Sequence, residues 1–334
     1  MIDFLMERYN LPKYRKEQFL KAFFQEGINS WDEMTTWPTS LRDILKKEIP
    51  FTTLQNFTEV TSRDGRTTKL LSYTQDGYPI ETVLMRAPKR NTVCVSCMSG
   101  CPVGCKFCAT GQMGFKEQLD HREILDQIMY FKRVLKKESK ELTNVVFMGM
   151  GEPLLNFDNV VKTIKDIIDP TRLGISHRKI TLSTAGYVKE LEKFLALNLG
   201  VKIAISLHAP NQQLREEIMP TVAKANNLKD LLLTLKRYQL RTNKRITYEY
   251  LLLRDINDTS SHAKELAKLL RNQICLVNLI NFNESEGIDF RPSSKKDIDR
   301  FRRILDQQGI TNTLRYSFGG EISAACGQLA KKSG

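Results

Sequence analysis

Cys101-Pro102-Val103-Gly104-Cys105-Lys106-Phe107-Cys108 is the stretch around which the rest of the chain organises. Three thiols at x3 and x2 spacing can wrap one face of a compact centre on a tight loop. Gly100, Pro102 and Gly104 supply the loop geometry. Three thiolates on a four-iron cluster leave one iron without a protein ligand, and a chelating substrate can bind there, much as catalytic zinc keeps one position open. A helical pattern over 121–137 follows, then an apolar run over 144–148 that ends in Gly149-Met150-Gly151-Glu152-Pro153. This reads as a strand and a glycine-rich turn. It lacks the third glycine of a dinucleotide fingerprint. Its glycines let the backbone approach a ligand closely, and Glu152 can hold an ammonium group. An ordinary βα turn is the plain alternative.

Outward from these two motifs the pattern alternates. Strand-like runs fall at 144–148, 179–183, 201–207, 245–253, 274–280 and 312–318, with helical patterns at 121–137, 228–240, 262–272 and 294–308. Repeated βα units predict an α/β fold with a parallel sheet under covering helices, here a partial (β/α)6 TIM-like barrel. Active sites of barrels lie at the C-terminal ends of the strands. Ser183, Ser206-Leu207-His208 and Asn283 sit at or just past such ends. A lone histidine is more often a satisfied structural group, but the strand-tip position of His208 favours the site.

Ahead of the barrel, residues 1–50 read as a small helical domain. Phe19, Leu20, Phe23 and Phe24 share one face of a helix over 13–25, and Trp37-Pro38 separates it from a second helix. Residues 51–88 carry the hairpin dipeptides Asp64-Gly65 and Asp76-Gly77 and predict a short antiparallel β linker. The barrel then covers 89–321 and a tail covers 322–334.

The 334 residues carry 51 Lys+Arg against 38 Asp+Glu, a formal charge of +13. Basic residues recur in groups: Arg8, Lys13, Arg15 and Lys16; Lys132, Arg133, Lys136 and Lys137; Arg241, Lys244 and Arg245; Arg302 and Arg303; Lys331 and Lys332. A merely solvated surface is one reading. A broad phosphate-tracking surface for RNA is the other. No apolar run reaches the roughly 18 residues of a membrane span, and the N-terminus does not resemble a signal peptide. A cytoplasmic protein is expected, and a monomer suffices.

Seven cysteines, five of them within 94–108, point to metal rather than a disulfide scaffold. Structural zinc on Cys94-x2-Cys97 and Cys105-x2-Cys108 is the rival. The seven-residue spacer is short for a zinc ribbon, and zinc leaves Cys101 idle. Cys275 lies in an apolar strand and reads as a small hydrophobe. Cys326, in Ala324-Ala325-Cys326-Gly327-Gln328-Leu329, lies beyond the last strand.

Cys-x3-Cys-x2-Cys with Phe107 before the last cysteine resembles the radical S-adenosylmethionine (SAM) signature. The order Cys94-Val-Ser, the three-cysteine loop, GMGEP, Ser-Leu-His, then Ala-Ala-Cys-Gly-Gln-Leu resembles the RlmN/Cfr family of RNA adenine methyltransferases, from the N-terminal helices to the tail. The resemblance implies one [4Fe–4S] cluster on Cys101, Cys105 and Cys108. It implies SAM contacts from Gly151, Glu152, Ser183, Ser206, Leu207, His208 and Asn283, and two SAM molecules per turnover. Cys326 would accept a methyl group from one SAM, and the second would generate the radical that activates it. The methylene adds to the adenine ring, and Cys94 releases the RNA adduct by forming a disulfide with Cys326. Glu81 matches the family's proton acceptor; a solvated strand carboxylate is its plain reading. Cys97 has no role in this pattern.

The chemistry needs such a relay, because C2 and C8 of adenine are electron-poor and do not attack SAM, whereas a thiolate does. The targets implied are an adenine in the peptidyl-transferase region of 23S rRNA and the adenine 3′ of the anticodon in tRNA. A flavodoxin-type electron donor is expected by analogy. Pro153 looks more like the RlmN branch and C2; the Cfr branch, acting at C8, tends to carry alanine there. A radical SAM enzyme with a non-RNA substrate, and a non-catalytic iron–sulfur RNA-binding protein, are the remaining alternatives.

Overall fold

The computed structural model describes residues 2–315 and 319–329. The first helices are α1 (Ile2–Arg8), α2 (Lys13–Leu20) and α3 (Thr39–Glu48). The helix expected over 13–25 changes character part-way: α2 runs into a wider π-helical turn, Lys21–Glu26. There the neighbours Phe23 and Phe24 are both buried, edge to face at 5.0 Å. These helices have their own core of Phe19, Phe23, Trp31, Met34, Trp37 and Leu45, and it is completed by Leu125 and Met129 from a barrel helix.

Next come β1 (Gln55–Thr61), β2 (Thr67–Tyr73), β3 (Pro79–Ala87), β4 (Arg90–Val95) and β5 (Met98–Gly100), then α4 (Ala109–Gln112), β6 (Phe115–Gln118), α5 (His121–Lys137) and β7 (Asn144–Phe147). The alternating part continues with α6 (Phe157–Ile168), β8 (Ile180–Thr184), α7 (Val188–Ala196), β9 (Lys202–Ser206), α8 (Gln212–Ile218), α9 (Pro220–Ala225), α10 (Leu228–Thr242), β10 (Ile246–Leu252), α11 (Ser260–Leu269), β11 (Cys275–Asn281), α12 (Lys295–Gln307) and β12 (Asn312–Arg315). The last strand was expected to run to 318; residues 316–318 lie outside the described residues.

One ten-stranded sheet has the order β1-β2-β3-β4-β7-β8-β9-β10-β11-β12. The β1–β4 pairings are antiparallel, and every pairing from β4 to β12 is parallel. This is the expected α/β partial barrel with one correction. The parallel strands number seven, because β4 pairs with both β3 (Val83↔Cys94) and β7 (Cys94↔Val146). The antiparallel meander expected over 51–88 is thus continuous with the barrel sheet. The apolar run of β4 is only Val93-Cys94-Val95, too short to announce a strand beside a cysteine cluster.

Helix α5 shows why local signals sufficed elsewhere. Asp120 accepts from the Glu123 N–H, and the Glu123 carboxylate accepts from the Asp120 N–H, both at 2.8 Å. Ile124, Ile128, Phe131 and Leu135 then form a stripe against the sheet. Among the described residues no helix is long and apolar enough to cross a membrane.

Candidate active site

The cysteine loop is strung between β5 and β6, a two-stranded hairpin. Gly100 (φ 72°) must be glycine: a Cβ would sit 1.8 Å from the Gly114 oxygen. The Cys101 N–H donates to that same oxygen at 3.2 Å, and Lys106 N–H donates to the Ile218 carbonyl at the end of α8 at 3.0 Å. The loop therefore lies over the C-terminal edge of the barrel. Cys101, Cys105 and Cys108 line one cavity of about 170 Å³ with the strand tips. Among the described residues no three His, Cys, Asp or Glu side chains are close enough to share a single ion. The three thiols instead share the cavity wall, which suits a polynuclear cluster better than one zinc.

Burial raises all three thiols, Cys101 to about 12 and Cys105 well above its usual value; Cys108 adds to the shift of both, and Cys326 adds to that of Cys108. Thiolates here need a cationic partner, and an iron–sulfur cluster supplies one. The soft donor set fits that group.

Opposite the loop, Gly149, Gly151 and Glu152 follow β7. A Cβ on Gly151 (φ 102°) would lie 2.7 Å from Met98 and 2.9 Å from the Cys97 sulfur. Buried Cys97 is thus the floor under the GMGEP turn. The Glu152 carboxylate accepts from Thr184 Oγ1 (2.6 Å), Ala185 N–H (2.7 Å) and Leu154 N–H (3.0 Å), while burial raises its pKa. Ser183, Ser206 and His208 also line the cavity. His208 has φ 57°, and its Nδ1 accepts the Leu251 N–H at 3.0 Å. Desolvation, then the nearby Arg215 charge, lowers its pKa to about 3, so the ring is neutral with its proton on Nε2.

Leu207 and Asn283 are placed differently from the other expected contacts. Leu207 is buried, with its N–H on the Glu249 carbonyl, and neither residue lines the cavity. Asn283 Nδ2 instead donates to the Cys326 carbonyl at 3.3 Å.

The tail returns to the cluster loop. Ala109 N–H donates to the Gly327 carbonyl at 2.8 Å, Thr110 Oγ1 bonds the Leu329 carbonyl, and Gln328 Nε2 reaches the Glu284 carbonyl at 2.8 Å. The residues just after Cys108 therefore hold the tail. Cys326 lines the cluster cavity and also a smaller one of about 30 Å³ shared with Cys94 and Arg315. Cys94 is raised to about 12, first by burial and then by the Cys326 charge. Both thiols are free. Tail residues 330–334, with Lys331 and Lys332, lie outside the described residues.

Glu81 on β3 is buried away from that cavity. It lines a wider one of about 680 Å³, with Lys69 Nζ 2.9 Å from its Oε1. Ser96 Oγ donates to the Glu81 carbonyl and accepts from Met150 N–H, which joins β3 to the GMGEP turn.

These features fit a known set of proteins. The model of the radical SAM superfamily matches residues 95–270. A probable dual-specificity RNA methyltransferase RlmN 2 from Protochlamydia amoebophila is 41% identical over 325 residues, covering 97% of this chain and 90% of its own. A dual-specificity RNA methyltransferase RlmN from Syntrophobacter fumaroxidans is 42% identical, covering 96% and 93%. The crystal structure of a radical SAM methyltransferase from Sphaerobacter thermophilus superposes with a TM-score of 0.95 at 39% identity, covering 98% and 96%. The chain belongs to the RlmN family of radical SAM RNA methyltransferases. Membership implies a [4Fe–4S] cluster and SAM as its cofactors.

Several residues of the site escaped the sequence reading. Arg315, at the tip of β12, lies at the junction of the two cavities; the Cys326 and Glu249 charges raise its pKa. Glu249 lines the main cavity and accepts from Asn278 Nδ2 at 2.8 Å. A charged residue inside the apolar run Ile246-Thr-Tyr-Glu-Tyr-Leu was the available signal. In the basic group at 132–137, Lys136 and Lys137 are exposed, while part of the group also meets the N-terminal helices. Lys132 and Lys136 reach the Gln25 and Glu26 carbonyls, and Arg133 stacks over Phe23 and Phe51 at 5.6 and 5.3 Å. These cations bind the N-terminal helices to α5.

Proposed function

We propose that this chain methylates C2 of an adenine in the peptidyl-transferase region of 23S rRNA and of the adenine 3′ of the anticodon in tRNA, by way of an S-methyl group on Cys326. The observation that supports this most is the shared wall: Cys326 lines one cavity with Cys101, Cys105 and Cys108 and a second with Cys94.

Cys101, Cys105 and Cys108 would hold the cluster, and Gly151, Glu152, Ser183, Ser206 and His208 would bind and orient SAM. Bound there, the pair supplies one-electron chemistry that can abstract hydrogen from a nearby methyl group. The chain does the rest. Cys326 accepts the methyl group as a thiolate, with the Arg315 guanidinium close by. Glu81, paired with Lys69 in the neighbouring cavity, would accept the proton lost from the ring carbon that bonds to the methylene, while that carbon is still tethered to Cys326. Cys94 attacks the Cys326 sulfur as a thiolate. The C–S bond breaks with its electron pair going to the bridging carbon, and that carbon takes up a proton to become the methyl group. The RNA is released with a Cys94–Cys326 disulfide left behind. Asn283 holds the tail in place for each step. Exposed Arg241 and Arg245 are among the cations left for phosphate contacts, and the target base must leave its stack to reach the cavity. The reductant is a flavodoxin-type donor.

The test is anaerobic turnover on RNA, with nucleosides resolved by mass spectrometry. 2-Methyladenosine is expected, with equal amounts of S-adenosylhomocysteine and 5′-deoxyadenosine. Cys326→Ala should give none, and Cys94→Ser should accumulate an RNA–protein adduct. Methylation by Cys326→Ala would refute the relay, and 8-methyladenosine would move the chain to the C8 reading.

A further inference from the structure

Behind the cysteine loop, Arg215 on α8 is completely buried, at 0% exposure. Its Nη2 donates to the carbonyls of Ala185 and Ser206, just past β8 and at the tip of β9. Among the described residues, neither its Nε nor its Nη1 has a hydrogen-bond partner. A buried guanidinium left this way is strongly unfavourable, so its remaining donors call for an acceptor.

The surroundings limit what that acceptor is. The acidic groups acting on Arg215 are Cys105 and Glu152. Glu152 directs its carboxylate to Leu154, Thr184 and Ala185, and no hydrogen bond or ion pair joins it to Arg215. Cys105 belongs to the loop that α8 supports: Lys106 N–H bonds the Ile218 carbonyl, and Val103 and Phe107 pack in one core with Leu214 and Ile218. The packing of the loop on α8 therefore makes sulfur on the Cys105 side the favoured acceptor.

We propose that Arg215 donates its Nε–H and Nη1–H groups to the cluster sulfurs around Cys105, and that this contact eases the one-electron reduction of the cluster. The proposal rests on Cys101, Cys105 and Cys108 being the cluster ligands. A four-iron core with three thiolates carries one negative charge when oxidised and two after accepting an electron from the flavodoxin-type donor. A fixed cation and N–H···S bonds favour the more negative form. Arg215 thus couples the SAM-side strand tips, through Ala185 and Ser206, to the redox poise of the cluster.

The test uses full-length protein reconstituted anaerobically, with iron and sulfide counted, as wild type, Arg215→Lys and Arg215→Met. Redox titration followed by electron paramagnetic resonance should show that loaded Arg215→Met is harder to reduce. A tenfold or larger shift of the reduction equilibrium is expected, about 59 mV for one electron. Arg215→Lys, which keeps the charge and loses the fork, should fall between the two. In wild type labelled with nitrogen-15 at arginine guanidinium groups, the reduced cluster should show a nitrogen hyperfine coupling that Arg215→Lys removes. This second measurement stands even if Arg215→Met fails to load. Loaded Arg215→Met with an unmoved potential, or wild type without that coupling, overturns the assignment. A full cluster in Cys105→Ala would instead overturn the ligand reading beneath it.

Discussion

Asn283 holds Cys326 by the main chain: its Nδ2 donates to the Cys326 carbonyl at 3.3 Å, so the loop after β11 fixes the tail sulfur beside the cluster cavity. Removing one such hydrogen bond forfeits about 1 kcal/mol. Asn283→Ala should therefore slow methylation of Cys326 about fivefold and leave the melting temperature nearly unchanged. Peptide mass spectrometry over a time course reads this, and an unchanged rate would show the tether to be idle.

Arg315 shares the small cavity with Cys94 and Cys326. A guanidinium there favours thiolate chemistry. In a Cys94→Ser background, Arg315→Met should slow alkylation of Cys326 by iodoacetamide at neutral pH about tenfold. Equal rates would mean that Arg315 serves only Glu249.

The Lys69–Glu81 pair has side-chain exposures of 14% and 3%. Removing one partner of a buried pair leaves an uncompensated charge, at a cost of about 3 kcal/mol. Lys69→Met should lose roughly that in urea denaturation, and adding Glu81→Met should restore most of it. Loss below about 1 kcal/mol would mean water solvates Glu81 well.

Gly151→Ala meets both strain at φ 102° and contact with Met98 and Cys97. About 2 kcal/mol of strain follows from the backbone alone. SAM affinity of the reconstituted protein should fall at least about tenfold, by equilibrium binding. Cys97→Ala added to it should not rescue, since Met98 and φ are unrelieved; recovery would locate the whole effect at Cys97.

His208 is held near a pKa of 3, below its ordinary 6.5. Between those values the unfolded chain binds a proton that the folded chain refuses. Its contribution is therefore complete above pH 6.5 and is lost as pH falls, by at most about 1.4 kcal/mol per pH unit. Melting temperatures of cluster-free protein at pH 7 and pH 5 should drop more steeply for wild type than for His208→Gln. Glu123, raised to about 7 by burial, works in the opposite direction but is common to both proteins. Parallel slopes would show that His208 is solvated.

Much of the molecule was legible locally. Helix α5 announced itself through Asp120, Glu123 and a four-residue apolar stripe, and the six later strands lay within a residue or two of their expected ends up to residue 315. Strand β4 did not, because three apolar residues, Val93, Cys94 and Val95, beside a metal-like loop carry no periodicity. Nor did the packing of Arg133 over Phe23 and Phe51, since its charge says nothing about which rings it meets.

The sequence by itself determined the chemical parts: three thiols on one loop, a glycine-rich turn with a carboxylate after a strand, and a cysteine on the tail. Each depends on residue types a few positions apart, where spacing and local backbone preference decide the geometry. Only the tertiary structure decided that Cys94 and Cys326 share a cavity, that Glu249 and Arg315 line the site, and that Arg215 is buried behind the cysteine loop. Closing the barrel brings distant strand tips together, and no local pattern encodes which tips will meet.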